Sequence, residues 1–181
     1  MMNFLLVLIG LLIPWQLVLA QSLMSVAKRG DLAQVKKQIE AGISPNQLEP
    51  DDWRETPPLF AAIKNEHTKV ASYLIAQGAD CKTVDFAGKN AFVYAAQSGV
   101  TEIIGQLVDC GADLEVIGGD GTNRTPLVWA VISKHELTAI ELMKNGAKTD
   151  IVWVHPTKDT SHKLVDTIAD KGLVDLLAHL R

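Results

Sequence analysis

Thr125-Pro126-Leu127-Val128-Trp129-Ala130 opens a segment that reaches Gly146-Ala147 sixteen residues after Ala130. The same interval separates Ala95 from Gly111-Ala112 and Ala62 from Gly78-Ala79. One interval kept three times marks a repeat array, in which each unit stacks on the next and none can bury its own apolar face alone. The register extends outward. Val26 stands sixteen residues before Gly42, and Ile168-Ala169 leads into Gly172 as Ala95-Ala96 leads into Gly99. The spacing predicts five units of about 33 to 38 residues. Such a chain presents a surface rather than enclosing an active site.

Each copy carries its own local reasons to fold. Pro57-Pro58 and Thr125-Pro126 start helices, because proline is tolerated in the first turn, where its missing N–H has no partner anyway. Alanine at the following positions lets a neighbouring helix approach closely. A second helix follows with apolar residues at helical spacing, Val70, Ala71, Leu74 and Ile75 in one unit and Ile103, Ile104, Leu107 and Val108 in the next. Gly78, Gly111 and Gly146 then supply the left-handed residue that ends it. The outer units read as caps. Gln34 and Gln38 replace Ile103 and Leu107 in the first, with Lys36 and Lys37 between, giving a polar outer face. The last is degenerate, and Leu176, Leu177 and Leu180 are expected to pack inward. Two insertions break the register, at Gly118-Gly119 and over residues 150–161.

These residues resemble the ankyrin repeat. Thr125-Pro126-Leu127-Val128-Trp129-Ala130, His135, Leu142-Met143 and Gly146-Ala147 are similar to its T-P-L-H-x-A…G-H…L-L…G-A pattern, and residues 84–89, with Asp85 and Gly88, match the preceding turn. Pro57 to Ala62 and Asn90 to Ala96 are weaker copies. The resemblance implies an all-α solenoid of about five helix-turn-helix units, two of them caps, joined by extended turns and spanning residues 22–181. It also implies binding as a hand grips an object, with turn tips as fingers and first helices as palm. Carried over by position, the fingers hold Trp53 and Arg54, Phe86 and Lys89, and Arg124. The palm holds Lys64, Asn65 and Gln97. Trp53 and Phe86, side by side on successive turns, read as binding anchors, and Trp153 on the long insertion as a third. Tyr94 and Trp129 align with positions that pack between units. His67 and His135 fill the family's hydrogen-bonding histidine slot.

The first twenty residues belong to another class. Residues 4–20 are apolar apart from Gln16 and carry no charge, the length of a secretory core and short for a membrane span. Val18-Leu19-Ala20 predicts cleavage after Ala20, making 1–20 a signal peptide and the product periplasmic or secreted, with no membrane insertion. The absence of Lys and Arg there leaves an uncleaved anchor open, and initiation at Met24 would give a cytosolic form. The net charge of −4 then belongs to the mature chain, and without a basic run nucleic acid is not an expected ligand. An exported chain with two cysteines can form one disulfide, Cys81–Cys110. Equivalent atoms of neighbouring units lie roughly 10 Å apart, beyond the ~7 Å a bridge tolerates, but these two positions are not equivalent.

No catalytic constellation is present: no Gly-x-Ser-x-Gly, no His-Glu-x-x-His and no phosphate-cradling glycine loop. His155 and His162 lack the cysteine or carboxylate company of a metal site, so neither metal nor cofactor is expected. Asn123-Arg124-Thr125 fits a glycosylation sequon that matters only in a eukaryotic secretory pathway. The expected function is a non-enzymatic envelope protein, monomeric or in a 1:1 complex. Its most specific form is an immunity protein that occludes a toxin or phospholipase effector. The alternatives are an accessory protein of an oxidative-stress enzyme such as a catalase, and an envelope-anchored scaffold.

Overall fold

The computed structural model describes residues 21–50, 56–118, 123–154, 161–173 and Leu176. The described chain runs as helix pairs: α1 (Leu23–Lys28) and α2 (Leu32–Glu40), α3 (Pro58–Lys64) and α4 (Thr68–Ala76), α5 (Ala91–Ser98) and α6 (Ile104–Asp109), α7 (Pro126–Ile132) and α8 (Glu136–Lys144). A hairpin, β1 (Val152–Val154) and β2 (Ser161–Lys163), feeds directly into α9 (Leu164–Asp170). The first helices α1, α3, α5 and α7 stack side by side, α9 extends the row, and α2, α4, α6 and α8 lie behind it. Ala62, Ala95 and Ala130 are fully buried, where a larger side chain would hold neighbouring first helices apart.

Helix starts follow local chemistry. Ser22 and Asp31 accept hydrogen bonds from the Ser25 and Gln34 N–H groups, and Asn90 accepts from Val93 N–H at 3.2 Å while its amide donates to the Asp113 carbonyl of the next unit at 2.6 Å. Pro58 and Pro126 open α3 and α7.

The sixteen-residue interval is a hydrogen-bond register. At the end of each second helix the residue after glycine donates back five positions: Ala79 to Leu74, Ala112 to Leu107 and Ala147 to Leu142, with Gly78, Gly111 and Gly146 at φ +86°, +83° and +96°. The first helices end alike. His67, Val100 and His135 donate to the carbonyls of Ala62, Ala95 and Ala130. Here the left-handed residue alternates, being Gly30, Glu66, Gly99 and Lys134 in successive units.

The alternation has a steric cause. The His67 ring lies over Gly30 and the His135 ring over Gly99, so that a Cβ would sit 2.5 Å and 2.6 Å from the respective Nδ1. Each Nε2 donates to a carbonyl of the preceding unit, His67 to Lys28 at 3.0 Å and His135 to Gln97 at 3.1 Å. Glycine stands where the next unit lays a histidine over the turn. Gly99→Ala is therefore expected to lower unfolding free energy by more than about 2 kcal/mol, joining left-handed strain to the ring clash. Lys134→Gly is expected to move it by no more than about 1 kcal/mol. Urea unfolding of both variants checks this, and equal effects would refute the role given to the ring.

The helix-rich repeat array stands as expected, and two details differ. The fold is not purely helical, because the two ends of the long insertion pair as antiparallel strands, with Trp153 opposite His162. Gln38 does not face outward. It is buried, and its amide donates to the Gln21 carbonyl at 2.7 Å, tying the chain entry to α2, while Lys36 and Lys37 stay exposed. The array's end is apolar as expected at Leu176, which is fully buried, whereas Leu177 and Leu180 lie outside the described residues.

Cys81 and Cys110 form a disulfide with Cα atoms 6.0 Å apart. Their separation of 29 residues is about one helical turn shorter than a repeat, which draws together two unit ends that full equivalence would hold apart.

Candidate protein-binding face

The turn over residues 84–89 is built around one buried carboxylate. Asp85 accepts from the N–H groups of Ala87 and Lys89, both at 2.9 Å, and from the Tyr94 hydroxyl. Its own backbone bonds to that of Gly88 and Lys89, with Gly88 left-handed. Tyr94, buried as expected, also packs its ring against Phe60 of the preceding unit at 5.3 Å. The turn is thus anchored to the helical core rather than hung from its ends. It presents Phe86, 71% exposed, beside half-exposed Val84. Ile117, at the position of Val84 one unit on, is also exposed, and Gly118 lies against the Ala87 carbonyl, where a Cβ would meet it at 3.4 Å. Successive turns abut and expose apolar side chains in step.

Lys89, in the Phe86 turn, and Arg124 form a row of cations on indole rings. Lys89 Nζ is 5.2 Å and Arg124 Cζ 4.8 Å from the Trp129 ring centroid, and Arg124 Cζ is 5.0 Å from that of Trp153. Trp153 stacks on His162 at 4.9 Å and donates its indole N–H to Thr167 Oγ1 at 3.0 Å. Trp129 packs against the core as expected, but only partly buried, and its ring also carries both cations, a role its sequence position does not announce. The available signal was that Lys89 and Arg124 stand about one repeat apart, hence on successive fingers.

Trp153 corrects an expectation. Read as a partner anchor, it is 5% exposed and occupied within the chain by Arg124, His162 and Thr167. The hairpin turns it inward onto α9 of the degenerate last unit. Trp53 and Arg54 lie outside the described residues. On the palm, Lys64 and Asn65 are exposed at the end of α3, Asn65 donating to the Ala61 carbonyl at 2.8 Å. Gln97 is half-buried, and its carbonyl receives the His135 ring. Ser98 Oγ donates to the Lys64 carbonyl at 3.3 Å, so neighbouring palm residues are linked across units.

The model of the family of ankyrin repeats matches in three copies, over residues 23–118 and 77–152. The chain belongs to the ankyrin-repeat family. As an ankyrin array it is a protein–protein interaction module, and no catalytic family is indicated. It is similar to the human ARF GTPase-activating protein GIT1, 31% identical over 96 residues, covering 53% of this chain and 12% of that protein. ZDHHC13 of Danio rerio is 26% identical over 159 residues, 84% of this chain and 22% of the relative. An ankyrin repeat-containing protein of Treponema pallidum is 36% identical over 97 residues, 53% of this chain and 32% of the relative. The chain spans about a third or less of the length of these curated relatives.

Proposed function

We propose that the chain is an exported ankyrin module that grips one protein partner against its finger turns and occludes it, the partner being a toxin or lipase effector. The observation that carries the gripping role is Phe86, 71% exposed on a turn whose backbone is pinned by buried Asp85. A large apolar side chain held out by a rigid support gives up little conformational freedom on binding, which favours a binding anchor. The apolar, uncharged first twenty residues and the Cys81–Cys110 bridge support export, since disulfides persist in oxidising compartments.

The test is capture of a partner from the native envelope fraction, repeated with Phe86→Ala. The variant is expected to weaken capture by about thirtyfold, the loss of a hot-spot side chain. Undiminished capture would remove Phe86 as the anchor. A captured partner with neither toxic nor lipolytic activity, or one whose activity persists in the complex, would refute occlusion of an effector.

A further inference from the structure

We infer that the Lys89–Trp129–Arg124 row is a binding site for the carboxylates of an acidic, apolar-flanked protein segment. The inference rests on the protein-binding reading above and specifies the chemistry of the partner. Two cations share one indole ring, and among the described residues neither has a carboxylate partner. Arg124 Nε is buried with no hydrogen-bond partner, and no other N–H of this guanidinium meets an acceptor among the described residues. Both side chains are half-buried, and a bound carboxylate supplies the acceptor that their donors lack.

Position favours this occupant over a free anion. Lys89 belongs to the same Asp85-centred turn as exposed Val84 and Phe86, so a ligand at this cation has apolar surface beside it. A segment with acidic and apolar side chains interleaved meets both. The chain as a whole carries a net charge of −4, so a pair of cations without carboxylate partners stands apart from its average and is the local feature that an acidic segment complements. The Arg124 guanidinium is braced between Trp129 and Trp153, at 4.8 Å and 5.0 Å from the ring centroids, and this pre-orients its planar fork.

The experiment titrates the full chain with a short synthetic peptide alternating glutamate with leucine and phenylalanine, and with its glutamine analogue, following tryptophan emission. The glutamate peptide is expected to bind at least about tenfold more tightly than the glutamine analogue, with the difference falling as salt is raised. Lys89→Gln, which alters only a half-exposed side chain, is expected to reduce that preference severalfold, as is Arg124→Gln. Lys37→Gln, exposed on α2 of the first unit, is expected to leave it unchanged. Equal binding of the two peptides, or a preference that survives Lys89→Gln and Arg124→Gln, overturns the carboxylate site. Either result leaves the gripping role of Phe86 intact, because that role is read from capture of the native partner.

Discussion

Reduction of the Cys81–Cys110 bridge is expected to cost about 3–4 kcal/mol of stability, the loop-closure value for a bridge spanning 29 residues. The bridge joins the turn after α4 to the end of α6, so it fastens two neighbouring units at their outer ends. In a stacked array each unit touches only its neighbours, and a covalent tie between two of them couples what stacking alone must hold. Urea unfolding with and without reductant measures the effect, and a Cys81→Ala/Cys110→Ala double variant separates loop entropy from the consequences of a free thiol. Cys81 is almost fully buried, so a single Cys110→Ala substitution would leave an inaccessible thiol. An unchanged unfolding midpoint on reduction, or two titratable thiols in protein recovered from the exported fraction, would refute the bridge and remove one support for export.

Trp153→Ala is expected to cost about 3–5 kcal/mol in the last unit, the range for truncating a buried aromatic. The ring stacks on His162, receives the Arg124 guanidinium and donates to Thr167 in α9. Its loss removes the side chain that joins the hairpin to α9. Because contacts in the array run between neighbours, the damage should stay local. Amides of α9 and of residues 151–154 should exchange faster, while those of α3 and α5 keep their protection. Exchange that rises uniformly along the chain would show that Trp153 supports the whole array and not its end. Arg124 also loses one of its two rings, so the glutamate-peptide preference should weaken along with the hairpin.

The repeat register was legible because its causes are local. The Gly-Ala pairs end second helices through a left-handed glycine and a bond reaching back five residues, all within one unit. The helix starts at Pro58, Asn90 and Pro126 depend on residues a few positions apart, and so does the Asp85 turn. Phe86 was legible as an exposed finger for the same reason. The cation-carrying role of Trp129 and the inward turn of Trp153 were not, because an aromatic side chain reads alike whether it faces a partner, a neighbouring unit or a cation one repeat away. Gln38 misled because a glutamine normally marks a wet face, and here a carbonyl from residue 21 takes its donor indoors. The strands of the hairpin are three residues each, too short to show an alternating pattern.

The sequence by itself determined where each unit begins and ends and which residues stand on its turns, since backbone conformation, helix caps and the spacing of apolar residues act within a single unit. Only the tertiary structure decided what one unit does to the next: His135 over Gly99, Cys81 against Cys110, Lys89 and Arg124 on one indole. These are distances across a stacking interface. They depend on how far each unit is shifted and rotated on its neighbour, and that offset is set by the packing of many buried side chains at once.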